Sequence, residues 1–124
     1  MKEWTAEEAN QSLGWVSECV EEIRTAAAGA AQRRHRARTR ARSNGHGRGP
    51  SDGVPDLAQS AFERLAAVDV VLRDAERGLI DFPAVAPSGR PYWLCWVVGE
   101  PEVAWWHWQT EGFAGRKPLS TPPE

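Results

Sequence analysis

The sequence predicts an α+β domain: an N-terminal antiparallel two-helix hairpin packed on one face of a small antiparallel β-meander. Three observations predict it. Apolar residues early in the chain recur at spacings of three and four, the period of one helix face. A second run of that kind follows a polar, glycine-rich interruption, as in two helices joined by a loop. The last part alternates turn chemistry with short runs of Trp, Val and Leu, as successive antiparallel strands do. At 124 residues, the chain reads as one domain that buries its core without a disulfide or structural metal.

The first helix is expected over about 6–42. Thr5-Ala6-Glu7-Glu8 reads as a capping box, and the two acidic residues suit the positive end of the helix dipole. Leu13, Val16, Val20, Ile23 and Ala27 then mark one face. A basic and glycine-rich linker occupies about 43–54. The second helix, about 55–68, starts at a Ser51 or Asp56 cap and carries Leu57, Ala61, Leu65 and Val68 on one side.

The β-branched cluster Val68, Val70 and Val71 favours extended chain over a helix running on to Gly78. The meander therefore spans about 70–109, starting with a strand at 70–74, a turn through Ala75–Gly78 and a strand at 79–85. Turns at Pro87–Arg90 and Gly99–Glu102 bound two further strands, 91–98 and 103–109. Residues 110–124 read as a tail, with Phe113 folded back on the body.

Five of the seven tryptophans lie between Trp93 and Trp108. Pairing Val98 with Val103 sets Trp96 opposite Trp105, Cys95 opposite Trp106, Leu94 opposite His107 and Trp93 opposite Trp108. Pairing Val85 with Pro91 sets Phe82 beside Leu94, Ile80 beside Trp96 and Asp81 beside Cys95. Side chains alternate across a sheet. One face then carries Ile80, Phe82, Leu94, Trp96, Trp105 and His107 and is the expected core. The other carries Asp81, Trp93, Cys95, Val97, Trp106 and Trp108. An apolar patch of Trp93, Val97, Trp106 and Trp108 is the expected interface, since such patches and tryptophans mark association surfaces. The competing reading is that the tail and first strand cover these rings.

Charge is unevenly placed. Residues 33–48 hold seven of the fifteen basic residues and no acidic one, leaving eight basic against seventeen acidic elsewhere. Arg33, Arg34, Arg36, Arg38, Arg40 and Arg42 are candidate phosphate contacts for salt-dependent nucleic-acid binding. Their near-alternate spacing spreads charge around a helix, which equally fits a solvated segment lying on an acidic body. The acidic N-terminus lacks an apolar run of signal-peptide length, and nothing approaches the ~20 apolar residues of a membrane span. A reduced, cytoplasmic protein without membrane contact is expected, and Cys19 and Cys95 have no metal or disulfide spacing.

Three segments, LRDAERGLIDFPAV, LCWVVGEPEVAWWHW and GFAGRKPL, together with the opening WTAEEANQSL, look like the signature of a small bacterial family, domain of unknown function 2203. The resemblance covers about 1–24 and 57–119. The Arg-rich run departs from the family, whose members usually carry an ordinary charged helix and loop there. Relatives commonly have Gly where Asp69 stands, which implies a break before the first strand. The family has no established activity, so the resemblance supports the fold and implies no mechanism.

Chemistry-bearing residues are few. Cys95 and His107 invite a thiolate–imidazole pair, but the register above points them to opposite faces, an objection that a one-residue slip removes. His107 is then a core-edge histidine held by a backbone or carboxylate partner. Glu100, Glu102 and His107 make a poor metal set, because His107 stands roughly 16 Å up an extended strand from Glu102. Asp81 interrupts an apolar run and needs a partner, with Arg73, Arg90 and Arg116 available. Asp81, Cys95 and Arg116 therefore form a candidate salt-bridge or ligand site, for which Trp106 is an expected neighbour. Gly112–Arg116 resembles a phosphate loop but lacks the strand and helix that such loops join. The expected function is a non-enzymatic interaction module, a homodimer or a partner of another protein through the tryptophan face, with no cofactor, metal or catalytic residue assigned. The alternatives are a nucleic-acid-associated protein using 33–48 and a small-molecule-binding or hydrolytic domain around Asp81 and Cys95.

Overall fold

The computed structural model describes residues 2–44 and 56–124; the side chains of residues 31, 33–44, 56 and 57 lie outside that description. It is an α+β structure with two helices, α1 (Ala6–Asn44) and α2 (Asp56–Ala67), and a five-stranded antiparallel sheet. The strands are β1 (Val71–Asp74), β2 (Leu79–Val85), β3 (Pro91–Val97), β4 (Trp105–Trp108) and β5 (Lys117–Pro118), adjacent in chain order. The helices are unequal, 39 against 12 residues, so α2 is too short to match α1 along its length. Among the described residues no helix is long and apolar enough to cross a membrane.

Local chemistry explains each boundary. The Thr5 hydroxyl accepts from the Glu8 amide at 3.1 Å, and the Glu8 carboxylate accepts from the Thr5 amide at 3.2 Å, a closed capping box. Trp4, just outside the helix, donates its indole N–H to the Val68 carbonyl and its backbone N–H to the Pro83 carbonyl. It thereby ties the start of α1 to the end of α2 and to β2. Asp69 breaks the chain before β1 with φ 63°, a left-handed conformation that Asp tolerates and Gly prefers. Gly78 closes the β1–β2 turn at φ 69°, and a Cβ there would run into Val98.

The β2–β3 register is the one expected, with Phe82 opposite Leu94, Ile80 opposite Trp96 and Asp81 opposite Cys95. The β3–β4 register is not. Tyr92 pairs with Trp108, Trp93 with His107, Leu94 with Trp106 and Cys95 with Trp105, one residue away from the expected pairing. Contacts from α1 and within the connecting loop both act against the expected pairing. The Asn10 side chain of α1 accepts from the Val103 amide at 2.6 Å and donates to its carbonyl at 3.2 Å. Glu100 folds back to accept from the Val97 amide at 2.8 Å. Val98 and Val103 are therefore not partners: the Val98 amide goes to the Gly78 carbonyl instead.

The slip exchanges the two faces of β4. Trp106, expected on the exposed patch, is 3 % exposed and belongs to the buried cluster with Ile80, Phe82, Leu94 and Trp96. Ala9, Val16, Val20 and Ile23 of α1 and Ala58, Ala61 and Leu65 of α2 join the same cluster. Trp108 meets Trp106 edge to face at 4.9 Å and also stacks against Tyr92. The proposed patch of Trp93, Val97, Trp106 and Trp108 is thus divided between the two faces of the sheet. The tail is also more ordered than expected: β5 pairs with Trp105 and Trp106, and the Thr121 carbonyl accepts the Trp106 indole N–H.

Candidate functional site

The face of the sheet turned away from the core cluster carries a row of polar side chains, one from each of four consecutive strands. Arg73 stands on β1, Asp81 on β2, Cys95 on β3 and His107 on β4. Asp81, Cys95 and His107 are 2 %, 1 % and 4 % exposed. The sequence places them there by parity. Asp81 opposes Cys95 directly, and His107 pairs with Trp93, two residues along β3, so all three share one side of the pleat.

Asp81 is the hub. Its carboxylate accepts from the Arg73 Nε–H at 3.0 Å and lies 3.2 and 3.3 Å from His107 Nε2. The Cys95 sulfur lies within 4.8 Å of a carboxylate oxygen. His107 Nδ1 is 2.9 Å from the Trp108 carbonyl. A carbonyl only accepts, so Nδ1 carries a proton and Nε2 is the nitrogen turned to Asp81. Burial, reinforced by the Asp81 charge, pushes the Cys95 thiol up to about 12. The thiol is therefore protonated at neutral pH and is no ready nucleophile.

The trio forms the floor of a cavity of about 290 Å³. Arg73, Trp93, Gln109, Gly112 and Phe113 stand around it. The Arg73 guanidinium stacks on Trp93 at 4.8 Å, so one cation covers the ring and holds the carboxylate. Glu111 also lines the cavity; its salt bridge to the Lys117 ammonium at 2.6 Å holds its carboxyl below the usual carboxylate range.

Of the three residues expected at the ligand site, the fold unites two. Asp81 and Cys95 meet, whereas Arg116 turns to Glu100, donating to both carboxylate oxygens at 2.6 and 2.8 Å. Its guanidinium lies over Trp105 at 5.0 Å and Phe113 at 4.7 Å. Trp106, expected beside this site, is on the opposite face. Arg90 stacks on Trp108 at 3.9 Å and takes no part. His107 does have the backbone and carboxylate partners expected of it, but it shares a face with Cys95 rather than opposing it. The separation of Cys95 from His107, and with it the objection to their meeting, is corrected by the β3–β4 register. The expected nucleic-acid contacts Arg33, Arg34, Arg36, Arg38, Arg40 and Arg42 have side chains outside the described residues.

A family model described as an uncharacterised conserved protein (DUF2203) matches residues 2–119. The chain belongs to the DUF2203 family. No curated protein and no solved structure matches it. The four strands that carry the candidate site, β1 to β4, lie inside the matched region.

Proposed function

We propose that this protein is a small-ligand-binding domain whose site is the cavity over Asp81, Cys95 and His107. One observation carries the reading: three buried polar side chains from three strands converge on the floor of a single cavity. Burying a carboxylate beside an imidazole is costly unless the pair is well partnered, and apolar residues of similar volume fill such space at least as stably. Convergent polar groups beneath aromatic walls are also the usual form of a small-molecule site, and this volume falls at its lower end. The ligand is an ion or a molecule of a few heavy atoms. The raised thiol argues against covalent catalysis by Cys95. The two helices, in this reading, back the sheet from the side opposite the cavity and hold the strands in place.

A fragment screen followed by amide and indole N–H correlation spectra tests the proposal. Hits are expected to shift the Trp93 indole and the Gln109 and Gly112 amides. Those shifts should vanish in the folded variant Asp81→Val/Cys95→Val/His107→Phe, whose stability should match or exceed that of the wild type. Loss of more than about 3 kcal/mol in that variant would make the trio a structural tie. Fragment shifts that persist in it would place binding elsewhere.

A further inference from the structure

We propose that Asp81, Cys95 and His107 bind one zinc-class divalent metal ion, with a fourth coordination position open to the cavity beside Arg73. The inference rests on the cavity being the functional site and names its first ligand.

Geometry is the first support. One carboxylate oxygen, the thiol sulfur and one imidazole nitrogen all lie within 4.8 Å of one another. Tetrahedral zinc bonds of about 2.0–2.3 Å set ligand atoms about 3.5 Å apart. Asp81 and His107 already stand at 3.2–3.3 Å, and rotamer adjustments of about 1 Å close the rest.

The hydrogen-bond directions give the second. The Trp108 carbonyl commits Nδ1 to donation, so the Nε2 lone pair of the neutral ring is aimed at the Asp81 carboxylate. Two acceptors in contact need a positive charge between them, a proton or a metal ion. A ligating histidine that donates its other N–H to a backbone carbonyl is the usual outer arrangement at metal sites. Arg73, donating to Asp81 Oδ2, is the equivalent partner on the carboxylate side.

Charge and ligand type narrow the ion. A carboxylate, a thiolate and a neutral imidazole carry two negative charges, so a dication makes the buried cluster neutral. Sulfur and nitrogen donors select zinc-like ions over magnesium and calcium, which prefer oxygen. On binding, the sulfur–metal bond forms as the thiol proton leaves to solvent, and any proton on Nε2 leaves with it. Three protein ligands leave one position, where water or a ligand oxygen completes the tetrahedron.

The test uses untagged, chelator-stripped full-length chain, titrated with ZnCl2 in a calorimeter and with CoCl2 in a spectrophotometer. One ion per chain is expected, with the visible bands of tetrahedral cobalt and a near-ultraviolet thiolate-to-cobalt band. Cys95→Ser should remove the thiolate band and weaken binding at least tenfold, as should His107→Gln. Cys19→Ser, checked by circular dichroism to be folded, should keep both. A folded wild type that takes up neither ion overturns the proposal, as does a thiolate band that survives Cys95→Ser. If metal fails while the apolar triple variant stays stable and loses its fragment shifts, only the metal assignment falls. If that variant collapses, the cavity reading falls with it.

Discussion

Asp81 accepts from Arg73 and stands against His107 and Cys95, and burial, with the Asp81 charge second, sets the reactivity of the thiol. The thiol is pushed up to about 12 against about 8.5 for a free thiol. Iodoacetamide at pH 8 should therefore modify Cys95 in the metal-free folded chain at least about a hundredfold more slowly than in guanidinium, as mass spectrometry of the labelled peptide would show. The linkage has a definite sign. A folded pKa above the unfolded one means that this contribution to stability is complete below about pH 8.5 and is lost as pH rises toward 12. Asp81 was legible as a buried carboxylate in want of a partner, because it interrupts an apolar run. His107 was legible only as a histidine that needed partners, since its face depends on a pairing that its neighbours do not reveal. The break at Asp69 was expected only from the family resemblance, and its φ of 63° is a left-handed conformation that Asp tolerates.

At the scale of elements, the start of α1 was fully written in four residues. Thr5→Ala should cost about 1 kcal/mol in chemical denaturation, the usual value for a lost cap. Glu8 is held below its ordinary value by Lys2 and the Thr5 amide. Its contribution is therefore present above the unfolded carboxyl range and lost as pH falls through the folded value, and Glu8→Gln should flatten that part of the acid titration. The β3–β4 pairing was not local in this sense. Turn residues at Gly99–Glu102 favoured a tight hairpin, but Asn10, 93 positions away in sequence, takes both backbone groups of Val103. Asn10→Ala should cost about 1–3 kcal/mol, because Val103 is buried and its amide and carbonyl would be left without this partner. Measured loss within error would remove the explanation given for the register.

For the whole molecule, periodicity and turn chemistry conveyed two helices and an antiparallel sheet, because both patterns are set by nearest neighbours. The fate of the aromatic surface was legible only as the competing reading, cover by the tail and the first strand. β5 extends the sheet, Arg116 covers Trp105, and Arg73 covers Trp93. Trp106, turned inward by the β3–β4 register, belongs to the core, and Trp106→Ala should cost about 3–5 kcal/mol in denaturant unfolding. An unchanged midpoint would return that ring to the surface. The site exists only in one β3–β4 register, and a NOESY spectrum of isotope-labelled protein reads that register directly. Contacts from the Cys95 β-protons to the His107 ring, and from Leu94 to the Trp106 ring, are the predicted result. Contacts from Cys95 to Trp106 and from Leu94 to His107 would contradict it, returning Cys95 and His107 to opposite faces and dissolving the site.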